Sequence, residues 1–301
     1  MSKTVKKIIP IISILIAGFL AWYLFIKPQD YLVSFKVNTT AGTINQSLKK
    51  WNSSFKNSNA IVQENLNTLK QKLKFNDSIH AYTWKISEFN DSVSKVKVSI
   101  TDTENSFQNK ISIPFSKTDF EKRTKKTVTD FVEILRNHLK KIKIKIAGES
   151  ATKSTYCAYV SIKGVQMEKA QGMIKNYSYL NSVLTAHKVK LNGTPFIEVT
   201  NWNLENDSIA YNFCFPIIKS DSLPKYKDIN YKKYTGVKAL KAVYSGNYIT
   251  SDRAWYALLK NAKKKNIEIH QTPLEVFYNN PNYGGDELRW KAAIYMPIKS
   301  K

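Results

Sequence analysis

The side chains able to do acid, base, nucleophilic or metal chemistry are few and scattered in this chain. The histidines His80, His138, His187 and His270 stand far from one another and from the only cysteines, Cys157 and Cys214. No spacing among them suits a metal ion, which needs several converging ligands. There is no Gly-rich phosphate loop, no G-x-S-x-G elbow, and no serine or cysteine with an evident histidine partner. No cofactor is expected. One carboxylate stands apart: Glu275, in TPLEVF, whose counterpart in a related upstream segment is Ile197. An apolar counterpart implies an inward-facing position. A carboxylate buried there can pair with a cation, or its pKa can rise far enough for acid–base work. The alternative is a solvated carboxylate on an edge strand.

That counterpart comes from an internal repeat. TPFIEV at Thr194–Val199 recurs as TPLEVF at Thr272–Phe277, CFPI at Cys214–Ile217 recurs as YMPI at Tyr295–Ile298, and Gly164 after YVSIK matches Gly246 after AVYS. All three offsets are about 80 residues, as a tandem duplication requires. Each copy reads strand, helix, strand, strand. In the first copy these are Tyr156–Lys163, Gln166–His187, Pro195–Asn201 and Ser208–Phe215. In the second they are Lys238–Ser245, Thr250–Lys265, Leu274–Asn279 and Leu288–Met296. Thr250-Ser251-Asp252 supplies N-cap chemistry, and the polar stretch Lys219–Thr235 reads as a linker. Two such halves can pair their sheets and leave a cleft between them.

Side-chain alternation then sorts the residues near Glu275. Phe277 shares its face, while Tyr295 shares one with Lys291 and Ala293, and Trp290 takes the other. Trp255 and Tyr256 on the second helix, and Tyr159, Tyr211 and Phe213 in the first copy, are candidates for aromatic walls or for ordinary core. Cys157 and Cys214 lie in apolar strand runs, as buried thiols or, in an oxidising compartment, as a pair.

The AVYSGNY stretch with its following Trp and Leu, LEVFYNNP, and the ending WKAAIYMPI resemble the GyrI-like, or AraC-type effector-binding, domain over about residues 152–299. The resemblance implies a pocket with aromatic walls for cationic or amphipathic small molecules, with Glu275 as its central acid and Tyr295 in its final strand. Members act as ligand sensors in multidrug regulators, and some hydrolyse cyclopropanoid toxins. The family often carries a second acid two places before the tyrosine. Here that place is Ala293, which disfavours a doubly charged cation or a two-carboxylate hydrolysis.

Residues 29–148 read as a separate domain. Tyr31–Asn38 alternates as a strand, and Thr43–Phe55 has helical spacing. Ile79–Phe89 and Ser92–Ile100 form a hairpin around Asn90-Asp91. Asn109–Pro114 reads as a further strand, and Lys117–Lys143 as a long helix with one apolar stripe. This order resembles the START-like, or SRPBCC (polyketide cyclase-like), family, which implies a curved sheet wrapped around the long helix. Tyr82 and Trp84 would line a cavity or fill the core.

Residues 1–28 form a tail and an anchor. Ile8–Ile26 is free of charge and as a helix reaches about 28 Å, enough to cross a bilayer core. Trp22 and Tyr23 sit where interfacial rings belong, and Pro10 falls in the expected first turn. Lys3, Lys6 and Lys7 precede the span, which puts the N-terminus in the cytoplasm and the later domains outside it. A retained anchor is expected rather than a cleaved signal peptide, since no A-x-A-like site follows.

The net charge of +24 does not point to nucleic acid. The arginines are only Arg123, Arg136, Arg253 and Arg289, and the lysines are spread along the chain, whereas a nucleic-acid footprint is concentrated on one face. The expected architecture is therefore α+β: an N-terminal transmembrane helix, a START-like helix-grip domain, and a pseudo-twofold β-α-β-β duplication. The expected function is capture of an amphipathic or cationic small molecule outside the cytoplasm. The alternatives are a hydrolase of a strained electrophile with Glu275 as general base, and a structural envelope protein without a ligand.

Overall fold

The computed structural model describes residues 3–55, 59–75, 78–279 and 284–300, with side chains from Ile8 onward. Asn280-Pro281 of the LEVFYNNP stretch therefore lies outside the described residues, as do the side chains of Lys3, Lys6 and Lys7. The class is the expected α+β, with one apolar N-terminal helix and two antiparallel sheets. Contacts divide the chain into two units, Met1–Asn38 with Leu48–Ile134, and Thr39–Ser47 with Leu135–Lys301.

The apolar run forms α1 (Lys3–Ala21) and continues through a wider π-helical turn at Trp22–Ile26. Because α1 starts at Lys3, Pro10 sits inside the helix rather than in its first turn. Ile8–Ile26 is apolar enough to span a membrane, and none of that window is buried against protein.

In the first unit, β1 (Tyr31–Val37), β2 (Val62–Asn65), β3 (Thr68–Phe75), β4 (Ser78–Glu88) and β5 (Ser94–Asp102) form a sheet in the order β1-β5-β4-β3-β2. The β4–β5 hairpin is the expected one. Helix α2 (Ala41–Asn52) follows β1, and α4 (Asp119–Lys140) follows the sheet. Trp84 and Tyr82 are fully buried. Phe131 of α4 meets Trp84 edge-on at 5.1 Å and Trp51 at 5.4 Å, a geometry that adds about 0.5–1.5 kcal/mol per pair beyond burial. The Trp84 indole N–H donates to Gln71 at 3.1 Å, which leaves no polar cost for its burial.

Asn109–Pro114, expected as a strand, instead falls largely within α3 (Ser106–Ser112). The Asp102 carboxylate accepts the backbone N–H groups of Glu104 and Asn105, turning the chain out of β5 into the helix.

The second unit is an eight-stranded antiparallel sheet in the order β10-β7-β9-β8-β12-β13-β11-β6. The elements are β6 (Lys143–Ala151), β7 (Thr155–Val165), α5 (Lys169–Ala186), β8 (Phe196–Trp202), β9 (Ser208–Pro216), β10 (Asn230–Tyr234), β11 (Lys238–Ser245), α6 (Arg253–Lys264), β12 (Leu274–Phe277) and β13 (Lys291–Pro297). Exchanging β6 with β10, β7 with β11, β8 with β12 and β9 with β13 reproduces the same order reversed. The repeat is therefore five elements long, one strand longer than its sequence pattern. Its first strand crosses to the edge of the other half: β6 pairs with β11, and β10 with β7. The expected linker at Lys219–Thr235 contains β10, and Lys143 opens β6 rather than closing the preceding helix. The halves join at β8–β12, where Glu275 stands directly opposite Ile197, its counterpart in the repeat.

Candidate functional site

Pleating divides the second unit's residues between two faces. Glu275 and Phe277 point to the face covered by α5 and α6, together with Ile197, Phe213 and Ile294. Opposite registers place Leu274 beside Tyr295 on the other face. There Tyr295 joins a buried cluster with Cys157, Phe196, Cys214 and Leu274, with Tyr159 packed against it. Both cysteines are free thiols. Glu275 and Tyr295 therefore do not meet, and the candidate residues belong to two different surfaces.

Glu275 is completely buried, and it is paired. Lys169, in the first turn of α5, places its Nζ 2.8 and 2.7 Å from the two carboxylate oxygens and 2.8 Å from the Ser251 Oγ. The Ser251 hydroxyl lies 2.8 Å from Glu275 Oε2. All three ammonium protons thus have acceptors, and the cation also sits 5.0 Å from the Trp255 ring centroid. Burial pushes the Glu275 carboxyl above its ordinary pKa, while Lys169 and Ser251 hold it down. The group is electrically neutral as a whole. It presents no net charge to a ligand.

Several aromatic candidates support this group; of these, Tyr211 also lines a second, smaller cavity of about 200 Å³. The Tyr211 hydroxyl donates to the Lys169 carbonyl at 3.0 Å, and burial raises its pKa. Tyr256 donates to the Gln166 Oε1 at 2.9 Å, an atom that also accepts the Trp202 indole N–H. Trp202 packs edge-on against both Trp255 and Tyr256, at 5.0 and 5.4 Å. Asp252 does not cap α6 with its side chain. Its carboxylate instead accepts from Gln166 at 2.6 Å and pairs with Arg253 at 2.9 Å.

Beside this network lies a cavity of about 410 Å³, in which Phe213, Phe277 and Trp290 of the candidates come together. Ala170, Met173, Ile174 and Tyr177 of α5 form one wall. Asn247, Tyr248 and Ile249, between β11 and α6, form another. Phe277 packs against Tyr248 at 4.9 Å, and Tyr248 lies 6.1 Å from Trp290, a continuous aromatic side. Tyr248 is held by its bond to the Lys291 carbonyl at 2.7 Å, and Asn247 by its bond to Glu287 at 2.8 Å. Among the described residues that line the cavity none carries a charge, and Glu275 is not among them.

Sequence reasoning missed Lys169, Ser251, Tyr248 and the α5 wall. Tyr248 was legible as part of the SGNY stretch beside the repeat glycine. Lys169 was not, because one lysine among many at a helix start carries no mark of burial.

No family profile matches the chain, and no curated protein is similar to it. Among solved structures, the EcmrR C-terminal domain is 12% identical with a TM-score of 0.43, over 53% of this chain and 99% of that one. EcmrR in a complex with DNA is 11% identical with a TM-score of 0.44, over 64% and 71%. SAV2435, solved bound to tetraphenylphosphonium, is 11% identical with a TM-score of 0.36, over 52% and 94%. Identities and TM-scores this low place the chain in no family.

Proposed function

We propose that the protein is a membrane-anchored binder of an uncharged, amphipathic, partly aromatic small molecule, held between α5 and the sheet of a GyrI-like second unit. For the first unit we infer a START-like fold, a reading supported by a strand, a helix, an antiparallel sheet and a long final helix in that order. The observation that carries the reading is the charge-free aromatic cavity in a chain of net charge +24. Its volume is within the range of about 300–1,000 Å³ usual for ligand sites. The one carboxylate expected to attract a cation is already matched by Lys169, so a cationic ligand finds no unpaired carboxylate there to offset its lost hydration.

Hydrolysis with Glu275 as general base is the poorer reading. A general base must come within hydrogen-bond reach of the proton it takes, and both oxygens here are occupied by Lys169 and Ser251.

Two probes of matched shape test the proposal. Full-length protein in lipid nanodiscs is melted with triphenylphosphine oxide, which is neutral, or with methyltriphenylphosphonium, which is cationic. The neutral probe is expected to raise Tm, and Ala170→Trp, which fills the cavity, to abolish the rise. A larger rise with the cation would overturn the reading.

A further inference from the structure

In the first unit, α3 is built inside out. A helix on a protein in water turns its apolar side inward, yet α3 buries Asn109 and Lys110 and exposes Phe107 and Ile111, as the turn after it exposes Phe115. Phe107 and Ile111 stand at i and i+4 on one stripe of the helix, and Phe115, in the turn just past it, is 87% exposed. The helix is also fixed in that orientation. Lys110 Nζ donates to the carbonyls of Lys27 at 2.6 Å and Leu24 at 3.3 Å, Ser106 donates to Asp30 at 2.5 Å, and Asn109 to Asp102 at 3.2 Å.

The two Lys110 bonds also tie α3 to the end of the apolar N-terminal segment. Phe107 lies 5.7 Å from Phe25, and Phe25 and Ile26 are themselves 73% and 69% exposed. The apolar surface therefore runs without a break from the last turn of the span onto α3.

We propose that α3 is a second membrane contact, with Phe107, Ile111 and Phe115 seated in the interface of the leaflet from which the anchor emerges. The proposal rests on reading Ile8–Ile26 as a membrane span. A helix lying in the interface plane sinks about 5–10 Å into the headgroup boundary. Pinned to the anchor in this way, it would set the tilt of the first unit at the membrane.

The test uses the full chain in phosphatidylcholine vesicles, with a nitroxide on Phe115→Cys or on Ser92→Cys at the β4–β5 turn. The buried native cysteines are left in place. Collisions with oxygen and with a water-soluble nickel chelate report depth. At position 115 oxygen is expected to dominate, and at position 92 the chelate. If the vesicles float with the protein but the chelate reaches both positions equally, α3 does not touch lipid and the proposal is overturned while the span survives. If the protein does not float with the vesicles, the span reading fails and the proposal with it. Dipolar broadening between labels at position 115 would assign the stripe to a second copy of the chain, which also overturns it.

Discussion

Lys169 and Glu275 settle between them what the buried carboxylate can do. Truncating one member of a buried ion pair typically costs about 3–5 kcal/mol, because the remaining charge has no partner. Lys169→Met is expected to lose that much stability in urea denaturation at pH 7, and the double variant Lys169→Met/Glu275→Leu to recover most of it. The single variant should also acquire a pH dependence. Without Lys169 the buried carboxyl keeps its proton when folded but loses it when unfolded above its ordinary pKa. The native state then holds the extra proton, so stability falls as pH rises, by about 1.4 kcal/mol per unit through that window. Equal stability at pH 5 and pH 7 would show that Glu275 is solvated.

At the scale of elements, α5 does two jobs: its first turn carries Lys169, and its next turns form a cavity wall. Both depend on how closely it approaches the sheet. A Cβ added at Gly172 would lie 2.2 Å from the Tyr211 hydroxyl, the group that bonds the Lys169 carbonyl. Gly172→Ala is therefore expected to push α5 outward and to cost about 1–3 kcal/mol, as overpacking does. It should also abolish the Tm shift given by the neutral probe. An unchanged melting curve would show that the glycine is not needed for the approach. The repeat was readable as strand, helix, strand, strand from its paired motifs. Its leading strands were not, because NYKKY in β10 is short and polar, and the alternating run in β6 directly continues a lysine-rich helix. Each is an edge strand, half exposed, and such strands carry the weakest apolar signal.

At the scale of the whole molecule, the extracytoplasmic placement proposed for the two units rests on the charges around the apolar run. Lysines flank the start of the apolar run, and a long basic chain translocates largely regardless of its own charge. A reporter fused after Lys301 is expected to be active only as the extracytoplasmic enzyme alkaline phosphatase; activity of a cytoplasmic reporter there would reverse the orientation. The charge itself is carried by scattered lysines, which suits solubility rather than a polyanion site.

Some of these properties were set by local order along the chain. An uncharged run of sufficient length, a duplicated pattern of strands and helices, and the expectation that Glu275 faces inward, drawn from its apolar counterpart in the repeat, all follow from residue type and periodicity. What Glu275 meets does not. Lys169 is 106 residues away in sequence, and Ser251 reaches the same carboxylate from the start of the second helix. Only the strand order and register that bring β8 against β12, and the close seating of α5 at Gly172, put the three together. Periodicity tells which face a side chain takes; the tertiary fold decides which charges share that face. Here it turned an expected acidic pocket end into a neutral buried group beside an uncharged aromatic cavity.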